Sequence, residues 1–235
     1  MNGAPGPDGS ASLASLLTED AYRAYLVELL RGQLSACRTV VRELRQEGAS
    51  VTAIYEGLFR RSLYDVGEMW ARGEASVADE HLATAVTESL IHASFPDLFS
   101  TERVGLLAVV SCLANERHEL GGRMVADVFE LSGWDTRFLG TDTPLDTLRS
   151  VLERESPDLL ALSLAMPERV PVFLQTLRTV REAFPDLPVV FGGRAFHGGV
   201  PSEVRGFPGA VHVPTLEALS LQIGHFPRRP APREE

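Results

Sequence analysis

The sequence VGLLAVVSCLANERHELG, residues 104–121, joins an apolar run to a short polar motif. The apolar part, Val104–Leu113, predicts a buried strand. The polar part reads E-x-H-x-x-G, in which Glu116, His118 and Gly121 follow the end of that strand. Open α/β sheets bind their ligands in a crevice beyond the carboxyl ends of the strands. The stretch therefore predicts an α/β sheet with a ligand-binding histidine in the loop after its first strand.

Two different patterns divide the chain. From Thr18 to about Ala93, apolar residues recur at three- and four-residue spacing, which predicts a bundle of four or five helices without strands. After Glu102, apolar runs alternate with helical patterns, which predicts a parallel sheet with helices on both faces. The predicted strands are residues 104–113, 136–139, 159–164, 189–191 and 210–213, and the predicted helices are residues 120–131, 144–154, 170–184 and 216–223.

The predicted fold class is α plus α/β: an N-terminal helical bundle followed by a Rossmann-like, flavodoxin-like domain with a parallel sheet. The bundle is expected over residues 16–98 and the sheet domain over residues 103–226. Residues 1–15, rich in Gly, Pro, Ala and Ser, and residues 227–235 are predicted to be disordered tails. No G-x-G-x-x-G sequence follows the first strand, which disfavours an ordinary dinucleotide site.

The composition excludes several classes of function. The net charge of −10 disfavours direct binding to nucleic acid, because an acidic domain is repelled by phosphate. The sequence contains no lysine, which excludes Schiff-base chemistry and a P-loop. No apolar stretch reaches membrane-spanning length and no signal peptide is visible, which predicts a cytoplasmic protein without a membrane partner. The isolated Cys37 and Cys112 are expected to be small buried side chains rather than a disulfide or a metal pair.

Two further signals follow the E-x-H-x-x-G motif. Ser163 and Ala165 form S-x-A at the end of a predicted strand, and Gly192 and Gly193 follow the next strand. The three-part pattern, (D/E)-x-H-x-x-G, S-x-(small or apolar) and GG, resembles the cobalamin-binding domain of methionine synthase, the corrinoid mutases and the B12 photoreceptors. This resemblance implies that the sheet domain binds cobalamin with the cofactor's own base displaced from cobalt.

The resemblance also implies a role for each residue of the pattern. His118 would be the axial ligand of cobalt, which suits neutral imidazole, and Glu116 would accept its other ring N–H. The family usually has Asp at this second position, so the longer Glu is expected to weaken or lengthen the contact, or to bridge it by water. Gly121 and the pair Gly192–Gly193 would leave room for the nucleotide tail, and Ser163 would hydrogen-bond its benzimidazole. From the residues alone, a loop histidine with an incidental acidic neighbour and ordinary turn glycines stay open as alternatives.

The helical half contains the sequence W-x9-E-H, formed by Trp70, Glu80 and His81, with Val77 inside it. This run resembles the cap of the adenosylcobalamin photoreceptors of the CarH and LitR type. It implies that the bundle covers the upper face of the corrin, with Trp70 and Val77 on the adenosyl group. Glu80 would then bind the adenosyl sugar, and His81 would orient its neighbours or the amide edge of the corrin. The alternative is a tryptophan in a bundle core beside a solvated Glu–His pair.

Two features depart from the CarH type. No helix-turn-helix domain is predicted, and Ala71 stands where those receptors have the histidine that binds cobalt after photolysis, so His81 or His92 would have to replace it. The short pattern also resembles the AerR-type antirepressors, which act through a protein partner, and most of all the photocobilins, which hold a linear tetrapyrrole beside B12. This implies a bilin such as biliverdin as a second chromophore, bound non-covalently with arginines on its propionates. Cys37 and Cys112 are the alternative, covalent attachment points.

The sequence therefore predicts a cytoplasmic light sensor rather than an enzyme, since no acid–base pair, zinc cluster or substrate barrel is visible. The protein would bind adenosylcobalamin base-off with His118 on cobalt and lose the adenosyl group in light. It would signal by changing its contacts with a protein partner or with further copies of itself. Two alternatives stay open: a corrinoid methyl carrier of a methyltransferase, and a relative that keeps the fold but has lost the cofactor.

Overall fold

A computed structural model describes residues 17–94, 98 and 100–226 of the chain. The chain forms two compact units, the first of which ends at Ser94, next to the predicted boundary. The two predicted tails lie outside the described residues. None of the helices in the described part is both long and apolar enough to span a membrane.

Four helical rods form the described part of the N-terminal unit. They are α1 (Glu19–Leu30), α2 (Leu34–Gln46), α3 (residues 51–71) and α4 (Val77–Ala93). In α3, a π-helical turn at Tyr55–Arg60 joins the α-helical segments Val51–Ile54 and Arg61–Ala71. The described residues of this unit contain no strand, which agrees with the predicted helical bundle.

Side-chain caps start three of the rods. Thr18, Ser50 and Ser76 each accept a hydrogen bond from the backbone N–H three residues further on, at 3.0 to 3.2 Å. The Asp79 carboxylate in turn accepts from the Ser76 backbone N–H at 2.7 Å, which completes a capping box. Because such a cap contributes about 1 kcal/mol, the start of α4 is fixed by its own sequence.

Aromatic side chains fill the core of the bundle. Tyr25, Tyr55 and Phe59 are fully buried, and the Phe59 ring centroid lies 6.1 Å from that of Tyr25 and 5.6 Å from that of Tyr55. Aromatic pairs of this kind contribute about 0.5–1.5 kcal/mol beyond the apolar area that they bury. The contacts hold α1 against the π-helical turn of α3.

The second unit is built on a parallel sheet with the strand order β2-β1-β3-β4-β5. This is the flavodoxin-like order, so the predicted fold class is confirmed. The strands are β1 (Leu107–Cys112), β2 (Asp135–Phe138), β3 (Leu159–Ser163), β4 (Val189–Gly192) and β5 (Ala210–His212). The helices are α5 (Leu120–Leu131), α6 (Leu145–Glu155), α7 (Val170–Ala183), α8 (Ser202–Arg205) and α9 (Leu216–Gln222), with 3-10 turns at Pro167–Arg169, Arg194–Phe196 and Ile223–His225.

Strand β1 begins at Leu107 and not at Val104, where the apolar run begins. Gly105 has a φ of 70°, which interrupts the extended backbone. The Val104 N–H donates to the Gly133 carbonyl at 2.9 Å instead of joining the sheet ladder. The apolar run therefore includes a turn before the strand, which hydrophobicity alone does not reveal.

The order in which strands are added to the sheet reverses between β1 and β3. From β1 it continues to β2 at one edge, and from β3 it continues through β4 to β5 at the other edge. The loops that leave the carboxyl ends of β1 and β3 therefore diverge, and such sheets bind ligands in the crevice between them. His118 lies in the first of these loops and Ala165 in the second.

Candidate functional site

The Glu116 carboxylate joins the two loops of the crevice. It is fully buried, and its Oε1 atom accepts a hydrogen bond from the His118 backbone N–H at 3.1 Å and lies 2.5 Å from the Nδ1 atom of the same residue. The Oε2 atom accepts from the backbone N–H groups of Ala165 and Met166, at 2.9 and 3.1 Å. The expectation that the longer Glu lengthens or hydrates the contact with the histidine is therefore wrong. The extra methylene lets one side chain reach both loops.

This environment keeps Glu116 ionised. Burial raises the pKa of its carboxyl, but the hydrogen bonds from the His118 ring and from the backbone N–H groups outweigh burial and lower the pKa to about 2. An ionised carboxylate only accepts hydrogen bonds, so the Nδ1 atom of His118 carries the proton of the contact. The His118 side chain is 58% exposed, so a ligand can reach it. An imidazole held in this orientation directs its Nε2 atom away from the carboxylate, where it can serve as a ligand for a transition metal.

A second pair of contacts braces the histidine loop. The Asn115 N–H donates to the Asp142 carboxylate at 2.7 Å, and the Asp142 N–H donates to the Glu116 carbonyl at 3.0 Å. Asn115 and Asp142 have φ values of 62° and 49°, a conformation that Asn and Asp adopt more readily than most residues. The loop after β2 therefore helps to fix the loop that carries His118.

A cavity of about 350 Å³ opens at the crevice, within the usual range for ligand pockets. Residues of the β1 and β3 loops line it: Asn115, Glu116, Arg117, His118, Met166, Glu168 and Arg169. The cavity therefore gives a ligand access to the histidine from between the two loops that Glu116 joins.

The Ser163 hydroxyl is available to a ligand. Ser163 ends β3, is only 8% exposed, and receives no side-chain hydrogen bond from any other described residue. A methyl group added to Gly121, near the start of α5, would lie 3.4 Å from the hydroxyl oxygen. A ligand that entered beside Gly121 would therefore meet a hydroxyl that can donate or accept a hydrogen bond.

The glycine pair at the end of β4 is required by close backbone packing. A methyl group on Gly192 would lie 2.6 Å from the Val213 carbonyl oxygen, and one on Gly193 would lie 2.3 Å from the Leu164 carbonyl oxygen. Gly193 also has a φ of 112°, which L side chains rarely adopt. The two glycines therefore hold the chain segments that follow β3, β4 and β5 close together.

Gly193→Ala is expected to destabilise the folded protein by about 3 kcal/mol, because the methyl group collides with the backbone and the residue keeps a strained φ. Urea unfolding of the cofactor-free protein measures this loss. Gly198→Ala is the matched control, since no atom lies within 4 Å of its added methyl group. Equal stability of the two variants would mean that the turn at Gly193 can open without cost.

In the helical unit, Trp70 and Val77 lie on either side of one turn. Trp70 is the next-to-last residue of α3 and Val77 is the first residue of α4. Their exposed fractions are 51% and 53%, and no described residue makes a hydrogen bond or a ring contact with the Trp70 side chain. The alternative of a tryptophan in the bundle core is therefore wrong, and the turn carries two large apolar side chains that a ligand can contact.

Glu80 and His81 lie in the first turn of α4. A Glu80 carboxylate oxygen accepts from the Thr84 hydroxyl at 3.1 Å, and the other lies 3.7 Å from Nε2 of His81. The side chains of Glu80 and His81 are 38% and 74% exposed. The structure thus brings these two predicted residues together and leaves both accessible.

His81 and His92 are the two candidates for the second cobalt ligand that CarH-type receptors have at the position of Ala71. They lie in different turns of α4. His81 lies in the first turn of α4, close in sequence to the turn that follows Trp70, whereas His92 lies in the last turn of the same helix. At 1.5 Å per residue, about 16 Å of helix separate them. Only His81 therefore shares the end of α4 that carries the W-x9-E-H motif.

The two cysteines are buried and form no disulfide, as predicted. Burial raises the pKa of Cys37 to about 11 and that of Cys112 to about 12. Because the thiolate is the reactive form, neither thiol is suited to covalent attachment of a bilin at neutral pH.

Sequence reasoning missed three parts of the site. The backbone N–H groups of Ala165 and Met166 bind Glu116 but leave no mark in the side-chain pattern. Asn115 and Asp142 belong to residue types that tolerate positive φ. This property predicts a loop at each residue but does not predict that the two loops contact each other. Gly122 directly follows the motif glycine Gly121 and was not singled out, although the Gly–Gly pair is visible in the sequence.

Two family models of known proteins match separate parts of the chain. Residues 106–213 match a family model described as a B12 binding domain, and residues 21–93 match a second model of the same description. The first match covers the strands and the crevice, and the second covers the helical rods. The chain therefore contains both of these B12-binding domains.

Two curated relatives are transcriptional repressors of Myxococcus xanthus. The HTH-type transcriptional repressor CarH is 34% identical over 138 residues, which are 57% of this chain and 44% of the repressor. The HTH-type transcriptional repressor CarA is 32% identical over 118 residues, which are 50% of this chain and 40% of the repressor. The chain thus contains a cobalamin-binding module similar to that of CarH and CarA, and it spans less than half the length of either.

A solved structure shares the fold. The monomethylamine corrinoid protein of Methanosarcina barkeri has a TM-score of 0.73 and covers 88% of this chain and 99% of its own. Its sequence identity is 14%, so the likeness concerns the fold alone.

The residues of the crevice fit a corrinoid cofactor. His118 offers one oriented imidazole nitrogen to cobalt, and the Ser163 hydroxyl offers a hydrogen bond that no other described residue uses. The space beside Gly121 adjoins that hydroxyl. His118 would hold the metal, and Ser163 and Gly121 would receive the displaced nucleotide tail.

Proposed function

We propose that this protein is a B12-dependent light sensor. It binds adenosylcobalamin base-off with His118 on cobalt, and it signals by a change of conformation or of oligomeric state. Bound adenosylcobalamin would supply the absorption of light and a photolabile cobalt–carbon bond. No catalytic turnover is part of this function.

The observation that carries the proposal is the exposed surface at the turn between α3 and α4. Trp70 and Val77 stand half-exposed there, and Glu80 lies in the adjoining helical turn. The same residues form the motif that resembles the cap of the adenosylcobalamin photoreceptors, and the CarH repressor is 34% identical over its matched part. An aromatic face, an apolar spacer and an accessible carboxylate are the groups that an adenosyl moiety needs.

Each residue has a separate task in this proposal. Glu116 holds the His118 ring in one tautomer, so the ring nitrogen meets cobalt without reorganisation. Trp70 and Val77 bind the adenosyl group by apolar contact, and Glu80 accepts hydrogen bonds from its sugar. Loss of the adenosyl group removes these contacts, so the dark and light states differ in their contacts. A signal requires such a difference. Either a protein partner or a second copy of the chain reads that difference.

An absorption spectrum of the protein with adenosylcobalamin, recorded in darkness and after illumination, tests the function. A bound cofactor whose spectrum changes in light and does not return in darkness supports the sensor. A second sample with biliverdin tests a bilin as additional chromophore, through a new band that stays with the protein on gel filtration. A protein that binds cobalamin but shows no photoconversion beyond that of the free cofactor contradicts the proposal.

Trp70→Ala is expected to lower the affinity for adenosylcobalamin about tenfold, because an exposed aromatic face is lost from the adenosyl contact. Affinity for hydroxocobalamin, which has no adenosyl group, should stay within about twofold. Val27→Ala is the control, since Val27 is 46% exposed on α1 outside the motif. If Trp70→Ala leaves adenosylcobalamin binding and photolysis unchanged, the cap assignment is wrong.

The second candidate is a corrinoid methyl carrier. The fold shared with the monomethylamine corrinoid protein and the absence of a second histidine at Ala71 favour it. A methyl carrier would prefer methylcobalamin to adenosylcobalamin and would exchange its methyl group with a methyltransferase partner. Competition between the two cofactors for the cofactor-free protein separates the candidates.

A further inference from the structure

A second cavity, of about 220 Å³, lies where α7 ends and where β4 and β5 begin. It is therefore at the amino ends of these two strands, whereas the crevice lies beyond the carboxyl ends of β1 and β3. Its walls are mainly apolar and include Val190, Val211 and Phe226. Among the described residues that line it, only Arg181 and Asp186 are charged. None of its lining residues also lines the crevice, so the two cavities are separate.

Arg181, in the last turn of α7, supplies hydrogen-bond donors without acceptors to this second cavity. Its Nη1 atom donates to the carbonyl oxygens of Phe184 and Pro185, which follow the helix. Its Nε and Nη2 atoms are shielded from solvent and have no hydrogen-bond partner among the described residues. The guanidinium also forms no ion pair with a described carboxylate. Because an arginine stays charged and a shielded donor without an acceptor is unfavourable, this group lacks an anion.

Gly209, which precedes β5, lets the guanidinium lie directly on the backbone of the cavity wall. A methyl group added to Gly209 would lie 2.9 Å from the Cζ atom of Arg181, a distance at which atoms must shift. Only Nη1 of the guanidinium is held by hydrogen bonds. A rotation about the last bonds of this flexible side chain can therefore turn Nε and Nη2 from Gly209 toward the open space of the cavity.

The chemistry of the second cavity defines the class of ligand that fits it. The Nε and Nη2 donors of Arg181 form a fork that matches the two oxygens of a carboxylate. The apolar walls suit a hydrophobic body, and the volume restricts that body to less than the size of a typical drug-sized ligand. Asp186 is exposed and adds a negative charge to the lining, which disfavours ligands with several negative charges, such as phosphate.

We propose that the second cavity binds a small monocarboxylate with an apolar body and that Arg181 holds its carboxylate. The two carboxylate oxygens accept from Nε and Nη2, while Nη1 keeps its bonds to the end of α7. The apolar body lies against side chains such as Val190 and Val211. This site does not depend on the binding of a corrinoid, because none of its residues belongs to the crevice.

Titration of the full chain with benzoate, followed by the backbone N–H signals in NMR spectra, tests the site. Benzoate is expected to bind with a Kd on the order of 1 mM, as suits a ligand of this size. It should shift the signals of Gly209 and Val211 and the Nε–H signal of Arg181, and leave the signal of His118 in place. Benzamide has the same shape without the charge and should bind at least about tenfold more weakly. Inorganic phosphate should also bind at least about tenfold more weakly than benzoate.

Two substitutions in the second cavity are expected to act in opposite directions. Arg181→Met keeps an unbranched apolar side chain but removes the guanidinium, and it should weaken benzoate binding at least about tenfold. Asp186→Asn removes a like charge and should strengthen benzoate binding about twofold, an effect that salt reduces. Arg178→Met is the matched control, because Arg178 is exposed on the same helix and does not line the cavity.

Three results would overturn the carboxylate site. They are equal affinities for benzoate and benzamide, an unchanged benzoate affinity in Arg181→Met, and benzoate shifts confined to signals of the crevice. If Arg181→Met does not fold, the ratio of benzoate to benzamide affinity in the wild-type protein and its rise in Asp186→Asn decide the question. Cobalamin binding is measured separately, so failure of this site leaves the proposed function untouched.

Discussion

His118→Ala is expected to lower the affinity for cobalamin about 100-fold, because the corrinoid loses its ligand from the protein and must bind through its other contacts alone. The fold should persist, since the His118 side chain is 58% exposed and contributes no buried core. Absorption titration of the cofactor-free variant measures the affinity. The spectrum of the remaining complex should lack the signature of imidazole on cobalt.

Free imidazole provides a rescue for this variant. Added in excess, it should enter the space left by the side chain and restore the spectrum of a nitrogen-ligated cobalt. His225→Ala is the control, because His225 is an exposed histidine of the same unit outside the crevice. An unchanged dissociation constant and spectrum in His118→Ala would show that cobalt takes its ligand from another residue.

The order of the elements could be predicted from the sequence because the central strands are buried on both faces. β1 and β3 therefore appear as apolar runs, and the helices between them show regular apolar spacing. β2, with the sequence DTRF, is an edge strand with half-exposed residues, and its limits were predicted one residue too far along the chain. The start of β1 was missed because Gly105 takes a positive φ inside an apolar run.

The candidate site was only partly predictable. His118 stands out because it follows β1 and Ser163 because it ends β3, and strand ends are visible in the sequence. The bond from Glu116 to the backbone of Ala165 and Met166 depends on β1 and β3 being neighbours, which no local pattern encodes. The expected weakening of the Glu116 contact was wrong for the same reason. It compared side-chain lengths without the second loop that the carboxylate reaches.

Glu116→Gln is expected to lower both the stability of the cofactor-free protein and its affinity for cobalamin. The amide is nearly isosteric, but its NH₂ group must face either the His118 ring and backbone N–H or the N–H groups of Ala165 and Met166. Donors then meet donors in a buried site, which should cost about 3 kcal/mol in the free energy of unfolding. Urea unfolding measures this cost, with Glu119→Gln in the same loop, where the side chain is partly exposed, as the control.

The affinity effect of Glu116→Gln should be about 10–100-fold, because the carboxylate no longer fixes the tautomer of the cobalt ligand. This effect acts only through His118. In a protein that already has His118→Ala, adding Glu116→Gln should reduce stability again but should change cobalamin affinity by no more than about twofold. A full, additive loss of affinity in the double variant would mean that Glu116 contacts the cofactor by another route. If Glu116→Gln lowers the stability of the protein but not its affinity for cobalamin, Glu116 serves only to hold the β1 and β3 loops together.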